Sequence, residues 1–253
     1  MRTLIDFHDA PVFAVPTPAG SREGVLVDGP QGWGEFSPPL DADDALAARW
    51  LTAAMEPSTV GWPDLVRGQV AVTDRVAVEV GEVDDAVAVI ASLPADLVEL
   101  RCGAEQARAI RQRVDVPVAV DSALLLADPD CADVAVLSCG PLGGVRRGLR
   151  RAERVGVPCV VTFSGATSIG AAADVALAAA LPELPFACGP APAWLAADDV
   201  VSAARSLVPG DGRLPAAPMP AAPDPQRLAR YTVTDPDRVR RWRELLRRAA
   251  AAL

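Results

Sequence analysis

Short valine-rich runs alternate with helix-forming stretches from about residue 68 onward, and this alternation limits the fold more than any other feature of the chain. The runs are Val76–Val80, Asp96–Leu100, Val116–Asp121, Val134–Ser138, Cys159–Phe163 and Phe186–Cys188. Segments with helical spacing of apolar residues separate them, near 83–93, 104–113, 144–155 and 169–181. Continuous apolar strands separated by helices are typical of parallel strands buried on both faces. The pattern therefore predicts successive β/α units.

The front of the chain has a different pattern. Residues 10–37 carry short strands joined by glycine and proline turns, and the stretch from Pro16 to Arg22 is long enough only for a turn. Residues 41–56 place apolar side chains on one helical face, with Asp41 as the expected N-cap. This region predicts a small α+β unit.

The tail combines a proline-rich connector, residues 214–226, with a helix that we expect to begin after Asp235. We therefore divide the chain into an α+β part at 1–68, a β/α part at 69–210, and a connector with a helix at 211–253. The terminal helix has an apolar stripe opposite its arginines, so we expect it to pack back on the first part.

Composition favours a cytoplasmic protein, and a small-molecule substrate or ligand remains the expected partner. The chain is 51% hydrophobic and carries a net charge of -9, which argues against nucleic-acid and anionic-membrane partners. Its five cysteines are an odd number without a C-x-x-C pair, as expected of reduced thiols. No signal sequence or membrane-spanning run is recognisable, and nothing calls for an organic cofactor.

Five sequence strings, in order along the chain, resemble the o-succinylbenzoate synthase branch of the enolase superfamily. The strings are Gly32–Pro38, Val116–Asp121, Pro141–Arg146, Ala166–Gly170 and Ala179–Gly189. The resemblance runs from about residue 10 to residue 235. It implies a capping domain over a (β/α) barrel with the site at the C-terminal ends of the strands.

The resemblance also implies a chemistry. Members of the superfamily hold one divalent cation, usually Mg²⁺, on acidic residues from three successive strands, while two lysines flank the substrate. The cation stabilises an enolate and a lysine moves the proton. In this branch the reaction is a dehydration that yields o-succinylbenzoate for menaquinone biosynthesis.

Three carboxylates correspond to the cation ligands of the family. Asp121 matches the third ligand and Glu99 the second, in Val98–Cys102. Glu79 is the best counterpart of the first, although the family has an aspartate there. Three oxygen ligands at strand ends could hold a hard cation such as Mg²⁺.

The lysines of the family have no counterpart, because the chain contains no lysine at all; its 24 basic residues are arginines. One lysine position corresponds to Ser138. The strand that carries the family's K-x-K pair is missing between Asp74 and Arg75, or, in a second alignment, its base position corresponds to Arg101. Arginine stays protonated in proteins and cannot act as a base.

The β/α part is short for a closed barrel. Roughly 140 residues make about five units at about 30 residues each, whereas an eight-unit barrel takes about 250. The expected fold class is therefore α/β and enolase-like: a small α+β capping domain plus an incomplete TIM-type barrel of about six or seven strands. Unpaired parallel edges invite pairing, so a homodimer is also expected.

Three function classes remain open. The first is a repurposed carbon–oxygen lyase or cyclase, in which Glu99 and Asp121 act as acid and base, Arg101 binds an anion and Ser138 assists. Further residues would line its pocket: Cys139, Thr162, Ser164, Gly143 and Gly144. The second is a non-catalytic binding or scaffold protein, a pseudoenzyme. The third is a genuine o-succinylbenzoate synthase. Convergence of the strand-end side chains on a closed pocket would favour an enzyme, and a filled or solvent-open barrel centre would favour the scaffold.

Overall fold

The computed structural model describes residues 7–18 and 20–253. Residues 1–6, which enter the expectation that no signal sequence is present, lie outside the described residues. So does Ala19, in the turn expected between Pro16 and Arg22. Within the described part of the chain, no helix is long and apolar enough to cross a membrane.

The front of the chain forms a three-stranded antiparallel sheet followed by a helix. The strands are β1 (Val12–Thr17), β2 (Gly20–Gly29) and β3 (Gly32–Phe36), in the order β1-β2-β3, and the helix is α1 (Asp44–Thr59). The predicted cap at Asp41 is wrong. Asp43 is the N-cap, since its carboxylate accepts a hydrogen bond of 2.7 Å from the backbone N–H of Leu46. Asp41 lies instead within a turn closed by the N–H of Ala42 and the carbonyl of Pro39.

Five parallel strands, each hydrogen-bonded to the next, form the second part, which confirms the predicted β/α arrangement. The strands are β5 (Val76–Glu79), β6 (Val98–Arg101), β7 (Val118–Asp121), β8 (Val134–Leu137) and β9 (Cys159–Val161). The helices that follow them are α2 (Val83–Ala91), α3 (Ala104–Arg111), α4 (Ser122–Ala127), α5 (Cys139–Leu142), α6 (Val145–Val155) and α7 (Ser168–Ala180). One face of the sheet packs against these helices, and the other face forms the inside of an incomplete barrel.

The strand before β5 belongs to another sheet. β4 (Gln69–Ala71) pairs antiparallel with β10 (Arg213–Pro215). On its opposite side β4 meets Cys188: the carbonyl of Ala71 and the N–H of Thr73 both bond to Cys188, while the N–H of Val72 bonds to Gly212 beside β10. The predicted strand at Phe186–Cys188 is thus reduced to a bridge at Cys188. Beyond that bridge, the N–H of Gly189 donates to the carbonyl of Val161 on β9.

Only four residues, 72–75, connect β4 to β5. Neighbouring parallel strands require a crossover of about a dozen residues or more, so β4 and β5 cannot pair side by side. β10 lies at the edge of β4 where a further barrel strand would pair. β5 therefore has one partner strand, β6, and the barrel stays open at this point.

The inside of the barrel is filled by a compact apolar layer. Its buried members are Leu97, Ala119, Val134, Val136 and Val160, with the partly buried Phe186 packed against them. Side chains alternate along a strand, and the other set of strand residues packs against the helices in the main core. The barrel centre is a packed layer and not a channel.

The C-terminal helices return to the front of the chain. After α8 (Pro225–Tyr231), α9 (Pro236–Ala251) lays Trp242, Leu245, Leu246 and Ala249 on the core of α1 and the first sheet. The ring of Trp242 meets Phe36 edge-on at 6.4 Å, and its Nε1 donates to Glu23 at 3.0 Å. Four arginines of α9 are exposed, as expected for a packed terminal helix: Arg240, Arg241, Arg243 and Arg247. Arg238 and Arg248 are partly buried and pair with Glu23 and Asp44.

Replacing Trp242 with alanine should destabilise the protein by about 3–5 kcal/mol, because a fully buried indole is lost from the core beneath α9. Urea unfolding followed by circular dichroism measures the change. Arg243→Ala, an exposed neighbour on the same helix, is the matched control and should change stability by less than about 0.5 kcal/mol. Equal effects of the two substitutions would contradict the described packing.

Candidate functional site

Most of the predicted site residues lie on the inner side of the barrel, at the C-terminal ends of the strands. Leu97, Ala119, Val136 and Val160 point into the barrel. Because side chains alternate, the residues two positions further along each strand point the same way. These are Glu99 after Leu97, Asp121 after Ala119, Ser138 after Val136 and Thr162 after Val160; Arg101 follows Glu99 in the same manner.

Glu99 lies between two arginines. Its Oε2 accepts a hydrogen bond of 2.9 Å from Arg75, and its Oε1 is 3.7 Å from Nε of Arg101. Arg101 also donates to Glu79 at 2.9 Å. The side chains of Glu99 and Arg75 are 15% and 3% exposed, so their pair is buried, whereas Arg101 and Glu79 face solvent. Arg75, which the sequence did not single out, therefore lies inside the barrel beside Glu99.

Asp121 has a local role. It is the N-cap of α4, and its Oδ1 accepts from the N–H of Ala123 at 2.7 Å. Its side chain lies at the exposed mouth of the barrel. Capping uses one carboxylate oxygen and leaves the other free.

The three predicted cation ligands do not form a cation site. Among residues 7–18 and 20–253, no group of three or more histidine, cysteine, aspartate or glutamate side chains is arranged to hold a metal ion. Glu79 and Glu99 are engaged by arginines, and Asp121 caps a helix. A divalent cation would have to displace two guanidinium groups, so these side chains do not fit the Mg²⁺ that the family implies.

Ser138 and Cys139 follow β8 and begin α5. Ser138 is half-buried and occupies the N-cap position, without a hydrogen bond from its side chain to the helix. Cys139 is buried, and its Sγ lies 3.1 Å from the carbonyl of Ala173. Burial and the nearby carboxylate of Asp174 raise the pKa of this thiol well above its usual value. The thiol is therefore protonated at neutral pH and unsuited to act as a nucleophile.

Ser164 and Cys139 are both hydrogen-bonded to Asp174, a residue that the sequence did not single out. The carboxylate of Asp174 accepts from the N–H of Cys139 at 2.8 Å, and from the N–H and hydroxyl of Ser164 at 3.3 Å each. Asp174 is the single charged residue of the alanine-rich helix α7. An isolated carboxylate in an otherwise apolar helix was the sequence signal that could have identified Asp174 as a candidate. Thr162 extends the sheet, donating its N–H to the carbonyl of Leu137.

Gly143 and Gly144 lie at the contact between the two parts of the molecule. Both have positive φ, 87° and 108°. The carboxylate of Glu56, on α1, accepts from the N–H groups of Val145 and Arg146 at the start of α6, and a Cβ on Gly144 would collide with it. These glycines therefore allow a helix N-terminus to approach a buried carboxylate.

Glu35 makes the equivalent contact with α7. This buried carboxylate accepts from the N–H groups of Thr167 and Gly170 and from the hydroxyls of Ser37 and Thr167. Burial raises its pKa, while Arg22 and the hydrogen bonds oppose the shift. The cavity between Glu35, Ser164 and Asp174 measures about 20 Å³, room for roughly one water molecule and not for a substrate.

Comparison with known proteins gives the family. Residues 19–58, within the capping region, match the family described as enolase N-terminal domain-like. An o-succinylbenzoate synthase of Thermobifida fusca is 37% identical over 259 aligned residues, with 77% of this chain and 81% of that protein covered. The o-succinylbenzoate synthase of Mycolicibacterium smegmatis is 34% identical, with 86% of each covered.

The chain belongs to the o-succinylbenzoate synthase branch of the enolase superfamily. Solved structures agree on the fold. Muconate lactonizing enzyme from Pseudomonas putida matches 91% of this chain and 100% of its own with a TM-score of 0.65, at 16% identity. A 2-chloromuconate cycloisomerase from Rhodococcus opacus matches 92% and 100% with a TM-score of 0.62, also at 16%. These likenesses confirm the predicted capping domain and incomplete TIM-type barrel.

This member of the branch is shortened internally. The Thermobifida alignment runs over 259 positions but takes in 77% of these 253 residues, about 195, so about 64 positions lack a counterpart here. The Mycolicibacterium alignment runs over 281 positions and takes in 86%, about 218 residues, which leaves about 63. Two relatives thus indicate the same loss, about two β/α units' worth of chain at roughly 30 residues each.

Replacing Asp174 with asparagine should remove a pH dependence of stability. Burial raises the pKa of Asp174 to about 6, although hydrogen bonds from Cys139 and Ser164 oppose the shift. The folded chain then holds a proton that the unfolded chain releases near pH 4, so this carboxyl group costs stability as pH rises from about 4 to 6. The stability of wild type relative to Asp174→Asn should fall by up to ~3 kcal/mol over that range.

Urea unfolding at pH 4, 5, 6 and 7 measures this difference. The control is Asp64→Asn, at an exposed position. Parallel pH profiles for wild type and Asp174→Asn would show that the buried carboxylate does not titrate in this range.

Proposed function

We propose that this chain is a non-catalytic member of the o-succinylbenzoate synthase branch, a binding or scaffold protein that keeps the capping domain and the incomplete barrel. The observation that carries the proposal is the occupied barrel centre. An apolar layer packs inside the barrel, and the buried guanidinium of Arg75 is paired with Glu99, a counterpart of the family's cation ligands. A filled barrel centre is the feature expected of a scaffold protein, so the geometry favours this function.

The absence of a proton-transfer base supports the same conclusion. No lysine is present anywhere in the sequence, and the barrel-facing basic residues Arg75 and Arg101 stay protonated. The thiol of Cys139, which also lies at the strand ends, is buried and protonated, so it is unsuited to act as a nucleophile. The lyase or cyclase hypothesis needs Glu99 as an acid or base, and two arginines hold that carboxylate.

A second function, o-succinylbenzoate synthase activity itself, is favoured by one specific observation. Curated relatives of that name are 33–37% identical over most of the chain. If the activity is retained, Asp121, Ser138 and Arg101 are the strand-end groups available for it.

An absorbance assay separates the two functions. The purified full chain is mixed with the cyclohexadiene substrate of o-succinylbenzoate synthases and Mg²⁺ or Mn²⁺, with the Thermobifida fusca relative as the positive control. We expect no product above the enzyme-free rate, because the chain has no lysine and two arginines hold Glu99. Turnover that scales with protein concentration would overturn the scaffold proposal and support the second function.

We also propose a homodimer that pairs through the open edge of β5. The N–H of Val80 donates to Arg101 on β6, so the alternate residues Ala77 and Glu79 direct their N–H groups away from the sheet. Such an edge favours pairing with another chain.

Sedimentation equilibrium tests the dimer. Wild type should sediment at twice 26.3 kDa, and Ala77→Pro, which removes one outward donor, should shift the protein toward monomer. The control is Ala88→Ser, at an exposed position of α2, and it should leave the dimer intact. A proline at this position would break α2, so serine is used. Monomer alone at all concentrations for wild type would contradict the proposal.

We propose a cytoplasmic location for the protein. All five cysteines are free, and four of them are buried, an arrangement suited to a reducing compartment. Cell fractionation of a producing strain should recover the protein with cytoplasmic markers, and recovery with secreted or membrane fractions would contradict this.

A further inference from the structure

Arg75 lies at the four-residue junction between β4 and β5 and points into the barrel. Its guanidinium makes two contacts with other strands: 2.9 Å to Oε2 of Glu99 on β6 and 2.7 Å to the carbonyl of Val161 on β9. The side chain is 3% exposed, and its Nε is buried without a hydrogen-bond partner. One side chain thus links three strands across the inside of the sheet.

A buried guanidinium is costly unless a carboxylate balances its charge. Glu99 provides that carboxylate. Because Glu99 is itself largely buried, its negative charge is balanced in turn by the guanidinium of Arg75. The second oxygen of Glu99 is 3.7 Å from Arg101. Both oxygens of Glu99 are therefore beside cations that belong to the chain, and neither is left for a metal ion.

We propose that Arg75 is a built-in counter-cation that replaces the divalent cation of the barrel. It neutralises Glu99, ties β6 to β9 through Val161, and makes the fold independent of metal. The position follows from the short junction: only residues 72–75 lie between β4 and β5, and Arg75, the residue immediately before β5, directs its side chain into the barrel. The inference concerns stability and metal binding, and it holds whether or not the protein is catalytic.

Metal binding by the unaltered protein is the first test. Free Mn²⁺ is counted by electron paramagnetic resonance as it is titrated against the full chain, and thermal unfolding is recorded with excess EDTA and with millimolar MgCl₂. We expect no stoichiometric Mn²⁺ binding and the same unfolding midpoint in both buffers. One Mn²⁺ bound per chain, or a midpoint that rises with Mg²⁺, would overturn the proposal.

A double-mutant cycle is the second test. Arg75→Met keeps most of the side-chain volume but leaves Glu99 buried without its partner, so the unfolding equilibrium constant should rise about a hundredfold. Adding Glu99→Met to that variant should recover much of the loss, because no unpaired charge then remains.

The matched control is Arg113→Met, which breaks an ion pair with Asp84 that is exposed on both sides, and it should change the constant less than fivefold. Strictly additive effects of the Arg75 and Glu99 substitutions would show that the pair is not coupled and would overturn the proposal. Should Arg75→Met fail to fold, Glu99→Met and the double variant still decide: the double variant must be no less stable than Glu99→Met alone.

Discussion

The four-residue connection between β4 and β5 is the constraint on which the rest of the barrel depends. Parallel neighbours need a long crossover, so this connection prevents β4 and β5 from pairing. β4 is paired by β10 instead, and β5 becomes the edge of a five-stranded sheet. Arg75, placed by the same connection, fills the inside with a charge that Glu99 must balance.

The capping domain is held by a different kind of interaction. Glu35 and Glu56 each present a buried carboxylate to the N-terminus of a barrel helix, α7 and α6 respectively. Backbone N–H groups at a helix N-terminus lack intrahelical partners and carry partial positive charge, so they stabilise a carboxylate there. An arginine adds to this in each case, Arg22 beside Glu35 and Arg146 beside Glu56. Loss of a barrel segment elsewhere does not disturb these contacts, which explains how the domain arrangement of the superfamily persists in a shortened chain.

The positions of the candidate site residues were predictable from the sequence, but their partners were not. Alternation along the strands was enough to place Glu99, Asp121 and Ser138 at one end of the barrel. Their partners were not predictable, because Arg75 is 24 residues from Glu99 and reads in sequence as an ordinary residue before a strand. Asp174 was missed for the opposite reason, since a single acid in an alanine-rich helix carries no motif. Its partners, Cys139 and Ser164, come from the ends of two other strands.

The sequence by itself determined the fold class, the family and the absence of a lysine base, because periodicity, ordered motifs and residue identity are properties of the chain alone. Only the tertiary structure decided whether Glu79, Glu99 and Asp121 form a cation site. That outcome depends on distances and charges between strands far apart in sequence, where a buried arginine and a helix N-terminus compete with a metal ion for the same carboxylates.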